Sequence, residues 1–203
     1  MTFDFHAAAS VEEASGLLGR FGDDAHLVAG GTAFVLLWRQ GLLRPGHVVG
    51  IRGLASLRGI RAAGGGLEIG ALVTHREAEL SPLVRSYLPA LARTFASVAT
   101  VRVRNQATVG GNLAHADPAQ DPPPMLLALG ATVTAFRGGD RREIGLDELF
   151  VDHLQTSLAH DEVITSVRLP ALPAGTRAAY LKFLPRTADD YATVSVAAVR
   201  TPS

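Results

Sequence analysis

The sequence contains no cysteine, so this chain by itself can build neither a disulfide nor a thiolate-ligated iron–sulfur cluster. Any such cluster has to sit in a partner. The chain also lacks a surplus of charge of either sign: Lys+Arg and Asp+Glu are 19 each, which removes the electrostatic case for nucleic acid. The N-terminus has no basic stretch followed by an apolar core, and no apolar run is long enough to cross a bilayer. The default expectation is therefore a cytoplasmic protein without an integral membrane segment. Repeats and low-complexity tracts are absent. The seven histidines show no close metal-ligand spacing apart from His153 and His160, which read as surface residues beside Asp152 and Asp161. No spacing justifies a Ser-His-Asp arrangement, since such triads are recognised by geometry. What remains, with 47% hydrophobic and 19% charged residues over 203 positions, is an ordinary globular composition with room for one large or two small lobes.

Two glycine pairs stand out. In Thr108-Val-Gly-Gly-Asn112, Gly110 and Gly111 follow a β-branched run, which predicts a strand ending in a glycine turn that exposes backbone N–H groups. Consecutive N–H groups in such a turn suit a phosphate or pyrophosphate. Asn112 adds a side-chain amide. Asp121 adds an acceptor for a ribose hydroxyl and reads as the N-cap of a helix opened by Pro122. The earlier segment Val28-Ala-Gly-Gly-Thr-Ala33 repeats the arrangement after an apolar strand, with Thr32 as cap of the next helix. Neither segment is a Walker loop, and neither has the G-x-G-x-x-G spacing. Together they suggest a diphosphate held from two sides.

These residues resemble a known family. Ala29-Gly-Gly-Thr32, Thr108-Val-Gly-Gly-Asn112, Pro118-x-x-Asp121 with the Leu126 to Leu129 run, Ile69-Gly-Ala-Leu-Val-Thr74, Asp161 to Pro170 and Lys182-x-x-x-Arg186-x-x-x-Asp190 stand in the order found in the FAD-binding subunit of molybdenum hydroxylases. That group includes aerobic carbon monoxide dehydrogenase and the flavin domain of xanthine dehydrogenase. The resemblance implies noncovalent FAD, and a chain that passes electrons from partner iron–sulfur clusters to an external acceptor without oxidising the substrate alone. It further implies a molybdopterin-binding large subunit and a 2Fe-2S small subunit as partners. Cofactor contacts are expected at Val28, Ala29, Gly30, Gly31, Thr32, Ala33, Thr108, Val109, Gly110, Gly111, Asn112, Asp121, Ile164 and Lys182, with no catalytic or metal-binding residue. A cation near the pyrimidine edge of a flavin favours its anionic reduced form. Lys182 is the candidate, whereas for Arg186 an ion pair with Asp189 or Asp190 is an equal alternative. His115 lies between the second glycine pair and Asp121 and has two readings, a residue touching the flavin or its solvent edge and an ordinary loop residue. Many members carry Asp where this chain has Ala33. A self-contained flavin reductase or oxidase of similar fold, or a non-catalytic assembly module, are the alternative readings.

Local signals give the organisation. Ser10-Val-Glu-Glu13 and Thr74-His-Arg-Glu77 read as capping boxes, and Ser81-Pro82 as a cap with proline in the first turn. The first 55 residues read as a small β–α–β–α–β lobe with parallel strands. Residues 56–177 read as a larger lobe, mainly antiparallel with flanking helices, with hairpins at Gly64-Gly-Gly66 and Gly138-Gly-Asp140. The expected class is α+β, in two lobes. Residues 178–203 are expected to begin a C-terminal domain that is truncated or absent, with Ala192 to Val199 as a strand whose valines face a buried side and whose edge and face need shelter.

Overall fold

A three-stranded parallel sheet carries the first glycine segment at its edge. The computed structural model describes residues 2–184, 187 and 189–202. Strands β1 (Asp4–Ala7), β2 (Ala25–Val28) and β3 (His47–Gly50) lie in the order β1-β3-β2, all parallel, with helices α1 (Val11–Phe21) and α2 (Thr32–Arg39) as crossovers. Parallel neighbours need such crossovers, which is why the first lobe alternates strand and helix. Ser10 caps α1 by accepting from Glu13 N, and Glu13 Oε2 reaches back to Ala9 N rather than to Ser10 N. Gly22, at φ 54, ends that helix.

The second sheet has the order β4-β5-β10-β6-β7, antiparallel throughout, from β4 (Ile60–Ala63), β5 (Gly66–Gly70), β6 (Thr132–Arg137), β7 (Asp140–Gly145) and β10 (Val163–Leu169). Between β5 and β6 run α3 (His75–Leu80), α4 (Pro82–Tyr87), α5 (Pro89–Ala96), α6 (Val101–Arg104), α7 (Val109–His115) and α8 (Pro122–Ala128). After β7 come α9 (Leu146–Leu149) and the small pair β8 (Phe150–Asp152) and β9 (Gln155–Thr156). The turns after β4 and β6 place Gly64, Gly65, Gly138 and Gly139 at positive φ, the conformation that the glycine pairs predict there. Leu91, Phe95, Met125, Leu126 and Leu149 are fully buried between the helices and this sheet. Leu72, Phe136 and Val163 join the core of the first lobe, so the two lobes share a packed boundary.

Several expectations are corrected. No strand precedes Gly110: α6 is helical, and the only ladder contact there is a single bridge between Thr74 and Thr108. Gly110 and Gly111 are then helical residues of α7, capped by Thr108, instead of a positive-φ turn. Thr32 is the first residue of α2, and the N-cap is Gly31 at φ 73 with no side-chain cap. Asp121 is helical in backbone (φ −76, ψ −43) and makes no capping bond, because both its oxygens are drawn to the C-terminal hairpin. That hairpin, β11 (Arg177–Phe183) with β12 (Val194–Arg200), is paired over seven positions. In β12 the side that packs on the core carries Ala197 and Val199, while Val194 and Val196 face outward, the reverse of the expected parity for those two valines.

Candidate functional site

The two glycine segments meet. A Cβ on Gly30 would stand 1.9 Å from Gln106 O and 3.1 Å from Ala107 Cα, so only glycine permits this contact between the lobes. A Cβ on Gly111 would lie 3.8 Å from Ala29 Cβ and 2.8 Å from Thr108 Oγ1. Gly110 is packed as closely on Ala71, at 2.6 Å from its Cβ. Residues roughly eighty positions apart are thus joined at one place.

The segments differ in what they offer a ligand. Among the described residues, no acceptor is found for the backbone N–H groups of Ala29, Gly30, Gly31, Thr32 or Ala33, and α2 begins without a side-chain cap. With Gly31 in the left-handed region these N–H groups form a concavity at the positive end of an eight-residue helix. The second segment is internally satisfied: Val109 N donates to Val73 O, Gly110 N to Ala71 O, Gly111 N to Thr108 Oγ1 and Asn112 N to Thr108 O. The expected second nest of free N–H groups is therefore not present. What this segment does offer is the Asn112 side chain, whose buried Oδ1 has no partner among the described residues. An orphaned buried acceptor next to an uncapped helix start fits a ligand that carries both an anionic group and hydrogen-bond donors. Gly30 and Thr108 also line one cleft of about 370 Å³ with Arg52, Arg58, Arg76 and Gln106, so positive charge borders the junction.

Asp121 and Lys182 form a second cluster. Lys182 Nζ donates to Asp121 Oδ2 at 3.0 Å and to Ser97 O at 3.0 Å, and Tyr180 donates its hydroxyl to Asp121 Oδ1 at 2.6 Å. Both charged side chains are 6% exposed, and the pair is internally neutralised, as burial requires. Two of the three ammonium donors are used. Burial first, and then the bond to Asp121, hold the Tyr180 hydroxyl well above the ordinary tyrosine range. Tyr180 and Ser97 were not foreseen from sequence; the only local signal was the alternation that places Tyr180 and Lys182 on one face of a strand. Ile164 is buried on β10 opposite Ala135, in the sheet against which α7 packs. His115 is the half-buried last residue of α7. Arg186 lies outside the described residues.

His75, the first residue after the Thr74 cap, is fully buried against the edge of Phe95, and neither ring nitrogen makes a hydrogen bond of good geometry among the described residues. Burial lowers it to about 4, so it is neutral at pH 7.

Residues 1–172 match the family of FAD binding domains in molybdopterin dehydrogenases. The chain belongs to that family. The carbon monoxide dehydrogenase medium chain of Hydrogenophaga pseudoflava is 37% identical over 97% of this chain and 68% of its own length. The 6-hydroxypseudooxynicotine dehydrogenase complex subunit alpha of Paenarthrobacter nicotinovorans is 40% identical over 98% of this chain and 67% of that protein. Among solved structures, the carbon monoxide dehydrogenase of H. pseudoflava superposes with a TM-score of 0.96 at 37% identity, covering 100% of this chain and 70% of that one. The α+β architecture with a small parallel and a larger antiparallel sheet is thus the fold of this FAD-binding family. No helix among the described residues is long and apolar enough to cross a membrane.

Proposed function

We infer that this chain is the FAD-holding, electron-transferring subunit of a molybdenum hydroxylase complex. In that role it takes electrons from iron–sulfur clusters in a 2Fe-2S small subunit and passes them to an external acceptor. The substrate is oxidised in a molybdopterin-binding large subunit, in the cytoplasm. The observation that carries this reading is the meeting of Gly30 with the Gln106–Ala107 backbone, beside the uncapped start of α2, in a chain of the FAD-binding family. The absence of cysteine fits the same division of labour, because these 203 residues cannot themselves ligate a thiolate-bound cluster.

Each side chain has a stated task. The N–H groups of residues 29–33 hold the diphosphate, Val28 closing the strand that presents them, and the helix start adds its dipole. Residues 108–112 approach from the other lobe: Thr108 fixes α7, Val109 and Gly110 lock it onto Val73 and Ala71, Gly111 lets the backbone come close, and the Asn112 amide accepts a hydrogen bond. Asp121 accepts from a ribose hydroxyl with lone pairs left beside Tyr180 and Lys182. Lys182, paired with Asp121, has one N–H donor left to offer the cofactor, and Ile164 supplies an apolar contact. When bound, FAD supplies the conversion between one-electron and two-electron transfer. We also propose that residues 1–55 and 56–177 are the two lobes of one cofactor domain, and that 178–203 begin a further one.

The test is the absorption spectrum of the purified chain, followed by reduction with and without partners. A flavin spectrum bleached through the partner subunits, and not by substrate with this chain alone, is the expected result. Bleaching by a substrate without partners would overturn the subunit reading in favour of a self-contained flavoenzyme.

A further inference from the structure

Three successive backbone carbonyls in the loop between α5 and α6 are held by two buried cations. Ser97 O accepts from Lys182 Nζ at 3.0 Å. Val98 O and Ala99 O accept from the same Arg104 Nη1 at 2.8 and 2.7 Å. Arg104 is fixed in turn by its Nε, which donates to Glu79 Oε2 at 3.0 Å, and its side chain is 10% exposed. Glu79 uses its other oxygen for Arg76. The loop has a conformation that needs such a clamp, since Ala99 sits at φ 38, where an alanine rarely resides. The chain of contacts runs Glu79, Arg104, the 98–99 carbonyls, Ser97, Lys182, Asp121. It links the helix just before Thr108 to the lysine on β11.

We infer that Arg104 is a positioning residue for the cofactor site, acting through the Ser97–Ala99 carbonyls on Lys182. The inference rests on the reading that Lys182 faces the flavin. Free to relax, the 97–99 backbone would leave the strained positive-φ conformation of Ala99 and rotate the Ser97 carbonyl away from Nζ. Lys182 would then keep Asp121 alone and lose its fixed distance from the flavin. A guanidinium suits the task because it can serve two carbonyls and a carboxylate from one rigid plane, whereas an ammonium is a single point charge on a flexible stem.

The experiment compares Arg104→Lys, Glu79→Gln and Lys182→Met in the full chain loaded with FAD. It reads the flavin midpoint potential, FAD affinity by fluorescence quenching, and hydrogen exchange at residues 97–100 with and without FAD. Loss of one charge-assisted bond corresponds to about tenfold or more in an equilibrium. Arg104→Lys is therefore expected to weaken FAD binding by about tenfold and to raise exchange at 97–100 by a like factor. It should move the potential in the same direction as Lys182→Met. Glu79→Gln, which leaves Arg104 in place and only loosens it, is expected to do the same to a smaller extent and covers the case in which Arg104→Lys does not fold. A folded Arg104→Lys or Glu79→Gln protein with lowered thermal stability but wild-type potential, beside a shifted Lys182→Met, overturns the inference and leaves Arg104 a purely structural residue. Should Lys182→Met itself leave the potential unchanged, the cofactor-facing reading of Lys182 falls, and the inference with it.

Discussion

Lys182 and Asp121 are sixty-one residues apart in sequence, yet their charged atoms lie 3.0 Å from each other, both side chains almost wholly withdrawn from water. The pair fastens β11 to the start of α8. Removing one member of such a pair strands the other in a medium that cannot solvate it, which costs about 3–5 kcal/mol. Asp121→Asn is expected to lower unfolding free energy by that order in urea titrations without FAD. If Asp121 were only an N-cap, the same change would be nearly silent, because Asn caps as well as Asp. A wild-type urea midpoint in Asp121→Asn would show that the buried pair contributes no net stability.

The contrast between Asp121 and Thr74 shows what the sequence could and could not reveal. The Thr74 box closes within four residues, Thr74 Oγ1 accepting from Glu77 N and the Glu77 carboxylate accepting from Thr74 N, so the local pattern contains the whole answer. Ser81-Pro82 and the Gly138–Gly139 turn are local in the same way. Asp121 carries an equally good cap signal, but Tyr180 and Lys182 compete for its oxygens from the far end of the chain and win. Gly110 fails for a related reason. A strand was read from Thr108-Val109, whereas the N–H groups of Val109 and Gly110 bond to the 71–73 backbone and start a helix. The roles of single atoms within the glycine segments and at Asp121 depend on partners that no local window holds.

Gly30 and Gly111 test the meeting of the lobes. Gly30→Ala drives a Cβ into Gln106 O, a backbone atom that cannot swing aside, so the lobes must separate. Overpacking of this kind costs about 1–3 kcal/mol. The expected outcome is a folded protein with lowered melting temperature and lost FAD. Gly111→Val meets the Thr108 hydroxyl and Ala29 and is expected to lose FAD while largely keeping the fold, for steric reasons and not through a forbidden φ. FAD retention equal to wild type in folded Gly111→Val protein would place the cofactor elsewhere.

His75 gives a pH dependence with a definite sign. Its folded value, about 4, lies below the unfolded value of 6.5, chiefly because burial penalises the charged ring. Between these values the unfolded chain binds more protons, so stability rises with pH through this window and is lost as pH falls from 6.5 toward 4. At about 1.36 kcal/mol per unit, the loss approaches roughly 3 kcal/mol by the bottom of the window. His75→Phe removes the titrating group and keeps an aromatic ring, slightly larger, beside Phe95. The slope of unfolding free energy against pH in this range is expected to be shallower in the variant; equal slopes would show that other groups govern acid unfolding.

The hairpin β11–β12 has one face on the main core and the other in water. Ala178, Tyr180, Ala197 and Val199 pack inward. On the outer face Leu181 is 71% exposed, Phe183 60%, and Val194 and Val196 58% each. Four large apolar side chains on one two-stranded face form a patch of the kind that soluble surfaces rarely leave bare. The chain spans 68% of the Hydrogenophaga medium chain and 67% of the Paenarthrobacter subunit. The strand expected to be disordered or sheltered by another polypeptide is instead paired with β11 over seven positions, so its ladder amides should be protected in hydrogen exchange even in the isolated chain. The outer face, by contrast, should drive self-association. Leu181→Thr with Val196→Thr places a residue of high β propensity at each position and removes much of the exposed apolar area. In sedimentation velocity across a concentration series, the double variant is expected to stay monomeric where the wild type associates, with FAD affinity unchanged. Equal association of the two proteins would locate the sticky surface away from this hairpin.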